Sequence, residues 1–434
     1  MRKTGGEFLG QGAAACVVSP PIKCIDGSTQ SEGVGKLFHD ENSAFPEIDE
    51  AEKVKLMDPN ADYTNPILKH CVFLRKDIPE NDRAKCTVLL PDLEGMQWAP
   101  DNELGHLRHY QIIYTHEGVD FEKYLETNQY NIEEVLGHLL QFAKGIAFFN
   151  SQHKYSHMDI KAPNLLITKE GKALLIDFGL SKSTNEIYKT DFLLQNPYPY
   201  YPPEFRMFIH HQDLLNEYVP DHEDVLKKKV IGIYKRLPNI GNEFYKRMEI
   251  KYEATFSKIS NQIAAKINNV QDLRVAYSKA FSNKVDVFSF GVVILQTLHI
   301  LKEKFIHNEK FTKIQKIGEE ATDIDPFIRI NIENVVKELE KIIDPTKTLG
   351  GRSSLKDLKQ YLKDPTFTKI KLCNLVDKYK MQPKFKKLNK DLLSNAIAEH
   401  MILHKKNVPK TPVKTPVKTP VKTAPKTQRL YKNT

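Results

Sequence analysis

From Ile132 to Asn150 the apolar residues Val135, Leu136, Leu139, Leu140, Ala143, Ile146 and Ala147 recur three and four apart, then run on into Phe148 and Phe149. That stripe predicts an amphipathic helix. The pattern upstream is different. Residues 5–40 break short apolar runs with Gly, Pro and Ser, which reads as strands and turns. Residues 46–57 place Ile48, Ala51 and Val54 at helical spacing, and strand-like runs return at Cys71–Leu74, Thr87–Leu90 and Gln111–Tyr114. Residues 205–279 are helical in pattern, 285–300 predict a strongly apolar helix, and further helices are expected to about 364, with a short extension over 365–406. A β-rich start and a helix-rich remainder imply an α+β fold in two lobes.

Beyond Asn407 the pattern stops. Lys-Thr-Pro-Val repeats leave almost nothing large and apolar to bury, and proline at every fourth position excludes helix, so an extended arm is expected. The arm changes the meaning of the charge. The chain has 434 residues and a formal net charge of +9, but residues 401–434 hold nine Lys and Arg and no acid. Residues 1–400 are therefore neutral overall, and a basic folded surface is not implied.

Cysteine and hydropathy narrow the class. Five cysteines (Cys16, Cys24, Cys71, Cys86 and Cys373) lack framework or metal-ligand spacing, so free thiols in a reducing compartment are expected. The most apolar run, Phe288 to Leu298, is too short to cross a bilayer, and the first residues lack a signal-type apolar stretch. These features imply an intracellular protein with no membrane span.

Candidate chemistry concentrates in two stretches. Ser156 to Ile167 reads SHMDIKAPNLLI, and thirteen residues after Asn164 comes Asp177-Phe178-Gly179. The pair resembles the catalytic loop and metal-binding turn of eukaryotic-type protein kinases, at that family's spacing. The resemblance implies that Asp159 orients the acceptor hydroxyl and takes its proton. It implies that Asn164 and Asp177 hold Mg²⁺ against the ATP phosphates, and that Lys161 neutralises the transferred group. A lone HxD or DFG would suit a buried turn; both at this spacing do not.

Further parts follow in chain order. Gly10-Gln11-Gly12 to Val17 resembles the Gly-rich loop over the phosphates, with Ala15 in place of its third glycine. Lys36 is expected to meet the α and β phosphates, because Lys23 follows Val17 too soon for two strands and a turn. Its partner is expected on the 46–57 helix. Glu47 and Glu50 share the same apolar neighbours, and Glu47 is slightly favoured. Residues 112–121 resemble the hinge between the lobes. That places Ile113 beside adenine, the backbone of Tyr114 to His116 on the adenine edge, and Asp120 near the ribose; Leu166 belongs to the same nucleotide set. Glu204, in Tyr201-Pro202-Pro203-Glu204, is expected to pair with Arg352, and Asp286 to brace the catalytic loop. The resemblance covers about 5–364, with an N-lobe to about 114 and a C-lobe from about 118.

Several departures carry information. Met158 replaces the arginine that holds an activation-segment phosphate, which implies activity without that switch. Pro197 stands where serine/threonine kinases place a threonine, as in many tyrosine kinases, whereas Lys161 is the serine/threonine-type choice and outweighs it. The insertion over 205–279 is expected either to pack on the C-lobe or to form a docking surface. Its size, the YPPEF sequence and the early start of the kinase motifs resemble protein kinases of giant DNA viruses. Taken together, the expected function is transfer of the ATP γ-phosphate to serine/threonine hydroxyls of protein substrates, in host cytoplasm or virion, with the nucleus open. Rival readings are a pseudokinase scaffold and a tyrosine or dual-specificity kinase. Thr411, Thr415 and Thr419 in the arm are proline-directed sites, and unmodified the arm resembles basic segments that bind nucleic acid or another acidic partner non-specifically.

Overall fold

The predicted β-rich start forms a hairpin, β1 (Glu7–Gln11) and β2 (Ala15–Ser19), followed by β3 (Val34–Phe38). Helix α1 (Glu41–Met57), strand β4 (Ile67–Leu74) and strand β5 (Arg108–Tyr114) complete the first lobe. The five strands form one antiparallel sheet in the order β1-β2-β3-β5-β4. The computed structural model describes residues 6–12, 14–89, 106–127, 129–189, 197–218 and 222–344, with short pieces at 387, 390–393 and 395–396. Residues 1–345 make one compact unit and 346–434 another, so the first unit ends ahead of residue 364. Arg352 and the Lys-Thr-Pro-Val arm lie outside the described residues.

Two local readings differ from expectation. Helix α1 starts at Glu41, five residues before Pro46, because the Asp40 side chain accepts from the Ser43 N–H at 2.9 Å and caps it. Pro46 therefore lies inside the helix. The Thr87–Leu89 run is a short 3-10 turn rather than a strand.

The second lobe begins with β6 (Gly118–Asp120) and α2 (Phe121–Glu126). Helix α3 (Ile132–Ala147) carries the stripe read from the sequence. A reciprocal cap between Asn131 and Glu134 starts it, and Val135, Leu136, Leu139 and Ala143 are buried along it. Short strands β7 (Tyr155–Ser156), β8 (Leu165–Thr168), β9 (Ala173–Leu175) and β10 (Lys182–Ser183) hold the loops that follow, paired as β6-β8-β9 and β10-β7.

The 205–279 stretch is helical, as expected: α4 (Glu204–Leu215), α5 (Glu223–Tyr234), α6 (Asn242–Gln262) and α7 (Val270–Phe281). Its apolar residues Val230, Tyr234, Phe256, Ile259 and Tyr277 are buried in one cluster with Met158, Tyr188 and Phe205. The insertion thus packs against the catalytic and activation segments. Helices α8 (Val285–Phe305), α9 (Glu309–Ala321) and α10 (Ile332–Ile343) close the unit. The stretch Val270–Phe305 is long and apolar enough to cross a membrane, but 78% of its most apolar window is buried inside the protein. It serves as core.

The expectation of free thiols is corrected for four cysteines. Cys16 is joined to Cys86 and Cys24 to Cys71, with Cα separations of 5.8 and 5.9 Å. The partners are 70 and 47 residues apart, so only the folding of the sheet brings them together. Cys373 lies outside the described residues.

Candidate active site

Strand pairing fixes the upper wall. Val17 faces Lys36 across β2–β3, and Lys36 faces Ile112 across β3–β5. Side chains alternate along a strand, so Val17, Lys36, Ile112 and Tyr114 share one face and Ile113 points to the other. The expected place of Ile113 beside adenine is therefore corrected: its strand neighbour Tyr114 takes the cleft face. Tyr114 Oη donates to Glu47 Oε1 at 2.9 Å, and burial followed by Glu47 pushes its phenol well above the usual range.

Lys36 Nζ lies 2.7 Å from Glu47 Oε1 and 3.2 Å from Asp177 Oδ1, while Lys23 is exposed in a loop. Glu50 pairs instead with Lys53 at 3.2 Å, and burial raises its carboxyl. The helix phase thus separates the two glutamates that the sequence left level. Burial disfavours the Lys36 ammonium, but Glu47 and Asp177 outweigh it and hold the lysine above its ordinary range. Burial likewise raises Asp177, and Lys36 reverses this, so its carboxyl lies below its ordinary range.

The hairpin tip above the cleft is Gly10 to Ala15. Gly12 N–H donates to Ala15 O at 2.8 Å. A Cβ on Gly10 would meet nothing within 4 Å, and on Gly12 only Ala15 O at 3.9 Å. Nothing within the chain demands glycine there, which suits close approach by a ligand's oxygens.

The hinge differs from expectation. The N–H of Thr115 donates to Pro66 O at 3.2 Å and that of His116 to Asn65 Oδ1 at 3.0 Å, while Asn65 Nδ2 donates to His116 O. The chain entering β4 has taken these donors, so they are not open to an adenine edge. Asp120 caps α2, accepting from Lys123 N–H at 2.9 Å and pairing with Lys123 Nζ at 3.0 Å. Leu166 faces Asp120 and Leu174 across β6-β8-β9 and is nearly buried.

The lower wall is a braced loop. Asp286, fully buried on α8, accepts from the backbone N–H of His157 (2.8 Å) and Met158 (2.9 Å) and from Asn150 Nδ2 (2.8 Å). Met158 is held at φ 66°, a left-handed conformation that costs a β-carbon residue about 1–2 kcal/mol. Its side chain is completely buried, so it offers no phosphate contact. The Asp159 N–H meets His157 Nδ1 at 3.3 Å, which leaves Nε2 to donate to Ile176 O at 3.0 Å. The Phe178 ring packs on His157 and Phe149 at 4.5 and 5.1 Å. Asp177 is also left-handed, at φ 65°.

Asp159 is the focus of this arrangement. Its Oδ2 accepts from Asn164 Nδ2 at 2.7 Å and Lys161 Nζ at 2.9 Å, and its Oδ1 from Tyr198 Oη at 2.6 Å. The Asn164 amide nitrogen also donates to Asp159 O, which leaves its carbonyl oxygen as the end available to a cation. Asp159, Lys161 and Asn164 thus form one set of direct contacts, and Lys36, Glu47 and Asp177 another.

Residues 105–213 match the family model of protein tyrosine and serine/threonine kinases. The match supports a eukaryotic-type protein kinase. The match spans about a quarter of the chain and includes the braced loop, Asp177 and the start of α4. The kinase fold accounts for the sheet, α1 and the helical second lobe alike.

Protein kinases generally use ATP and Mg²⁺, and these residues fit both. Among the described residues no group of three or more His, Cys, Asp or Glu could hold a metal alone. Mg²⁺ suits such a site, since it takes one or two protein ligands and completes its shell with phosphate oxygens and water. Asn164 and Asp177 would supply the protein ligands, Lys36 a cation for the phosphates, and Gly10 and Gly12 open backbone above them.

Sequence reasoning missed three residues. Tyr114 depended on the β3–β5 register. Tyr198 lay in a run of tyrosines and prolines with no motif of its own. Arg329 replaces the expected Arg352: Glu204 is bound by Arg329 Nη1 and Nη2 at 2.7 and 2.9 Å.

Proposed function

We propose that the chain transfers the γ-phosphate of ATP, with Mg²⁺, to serine and threonine hydroxyls of protein substrates. The observation that carries this reading is the contact set around Asp159: one carboxylate oxygen fixed by Lys161 and Asn164, with Lys36 bridging Glu47 and Asp177 opposite. Such a site catalyses by positioning and by charge neutralisation. Asp159 orients the acceptor hydroxyl and takes its proton. Lys161 stabilises charge on the group in transfer, and Lys36 aligns the donor phosphates. Bound Mg²⁺ supplies further charge neutralisation at the phosphates. Lys161 on Asp159 supports serine/threonine acceptors. The resemblance to kinases of giant DNA viruses supports a place in host cytoplasm or virion. The basic arm supports a non-specific contact with nucleic acid or another acidic partner.

Incubation with Mg²⁺ and labelled ATP, with Asp159→Asn as control and phosphoamino-acid analysis of generic protein substrates, tests the reading. Phosphoserine and phosphothreonine that vanish in the variant are expected. Absence of label from the intact chain points to a scaffold, and phosphotyrosine on substrates to the tyrosine reading.

A further inference from the structure

Pro197 and Tyr198 link the acceptor position to a cavity. Tyr198 Oη lies 2.6 Å from Asp159 Oδ1, the oxygen left over by Lys161 and Asn164. Pro197, one residue earlier, lines a cavity of about 500 Å³ between α4 and α5. Helix α4 follows the activation segment directly, whereas α5 belongs to the insertion. One wall of the cavity is therefore built by a segment outside the kinase motifs.

The lining is basic. Arg206 and Asp213 come from α4, Lys229 from α5, and Arg236 from the turn just after it. Three cations against one carboxylate leave an excess of two positive charges. Arg236 donates to the carbonyl of Pro197 and, at 3.4 Å, to that of Ile233, and these bonds position it without cancelling its charge. Burial depresses the half-buried Arg206 guanidinium, and Arg236 pushes it the same way. Two guanidiniums that disfavour each other are stabilised together by an anion between them. Room is kept as well. Gly232 lines the cavity within α5, where a Cβ would meet nothing within 4 Å. Glycine weakens a helix, and no contact within the chain requires it here. Lys229 and Arg236 are exposed, so the cavity is reached from solvent.

We infer that this cavity holds the phosphate of a residue already phosphorylated in the protein substrate, and so selects serine/threonine acceptors close to such a residue in sequence. The inference rests on the kinase reading above and narrows its substrate class. The charge fits: a phosphomonoester carries about −1.5 to −2, close to the excess in the lining. The chemistry fits too. Guanidiniums bind phosphate oxygens through parallel pairs of bonds, and Lys229 adds a point charge. A carboxylate side chain brings a single charge and matches half of this. Position sets the spacing. An extended peptide advances about 3.3 Å per residue, so a phosphate in a cavity that starts beside Tyr198 belongs to a residue within about four of the acceptor. The insertion then packs on the second lobe and also supplies a docking surface, the two roles that its sequence left open.

The test uses the full chain with Mg²⁺, labelled ATP and peptides that carry one serine or threonine acceptor. A phosphoserine is placed in turn at each of the four positions on either side, with glutamate and alanine at the same position for comparison. For phosphoserine at one or two positions kcat/KM is expected to rise about tenfold or more over alanine, the scale of added charge-assisted contacts, and to rise less for glutamate. Lys229→Ala removes an exposed charge, and Gly232→Leu fills the cavity while keeping every charge. Each should bring the ratio of phosphopeptide to alanine peptide down toward one. Fluorescence anisotropy of the best phosphopeptide, without ATP, should show weaker binding to both variants than to the parent. No gain from phosphoserine, an equal gain at every position, an equal gain from glutamate, or a ratio unmoved in both variants overturns the inference and leaves the kinase reading intact. Absence of transfer to every peptide overturns the kinase reading and the substrate role with it. Anisotropy that is unchanged in both variants overturns the cavity as a phosphate site, whatever the outcome of transfer.

Discussion

Glu204, the first residue of α4, and Arg329, in the loop before α10, form a two-pronged ion pair with both side chains completely buried. The pair spans 125 residues of sequence. Arg329 also donates to Asp323 O at 2.9 Å and Lys284 O at 3.3 Å and lies 4.9 Å over the Phe288 ring. Together these contacts tie the end of the activation segment to the core.

Removing one member of such a pair strands the other's charge in the interior. Arg329→Ala is therefore expected to lower stability by about 3–5 kcal/mol, read as a shift in the urea unfolding midpoint. Arg329→Lys should recover little of it, since an ammonium cannot make the two parallel bonds. A loss below about 1 kcal/mol is the contrary result, and would mean that the pair behaves as a surface bridge does.

The Lys36 contacts separate two glutamates on one helix. Lys36→Met is expected to reduce kcat by about 10²–10³-fold, the usual cost of one preorganised electrostatic contact. Glu47→Gln should also lose rate, because Lys36 loses a nearby negative charge. Glu50→Gln, whose carboxylate pairs with Lys53 rather than Lys36, should leave kcat near the parent value. Steady-state kinetics at saturating ATP compares the three, and equal losses at Glu47 and Glu50 would contradict the geometry.

His211 sets an acid limit on stability. It is buried between Tyr277 Oη at 2.7 Å and Ser260 Oγ at 2.8 Å, and burial, followed by His210, pushes its pKa from 6.5 down to about 4. The unfolded chain then binds a proton that the folded chain refuses, so stability falls as pH drops from about 6.5 to about 4 and changes no further below that. The full contribution is about 3 kcal/mol at roughly 1.4 kcal/mol per pKa unit. Unfolding curves at steps across this range should show the slope, and His211→Gln should flatten it.

The paired cysteines give a chemical prediction. Alkylation of the native chain without reductant should modify no more than one of the five cysteines, and all five after reduction and unfolding. Reduction should also lower stability by about 2–4 kcal/mol per bridge, given the 70- and 47-residue separations. Four or five modified cysteines in the untreated chain would restore the free-thiol expectation.

The sequence by itself determined the chemistry of the catalytic loop and the order of the lobes. Asp159, Lys161 and Asn164 lie within six residues, and local backbone geometry places such neighbours together in any chain that forms that loop. The apolar stripe of α3 was equally legible, because helical period is a local property. Tertiary structure alone decided what depends on distant partners. Pro46 proved to lie inside α1, and the phase of that helix against β3 brought Glu47 to Lys36 and turned Glu50 away. The β3–β5 register put Tyr114 on the cleft face in place of Ile113. The sequence reading gave Arg352 as the partner of Glu204, and only the packing of the loop before α10 brought Arg329 to it. The bridges joining Cys16 to Cys86 and Cys24 to Cys71, and the phenol of Tyr198 on Asp159, belong to the same class. Spacing along the chain specifies contacts within a loop or a helix turn, whereas contacts between elements follow from how their buried faces pack.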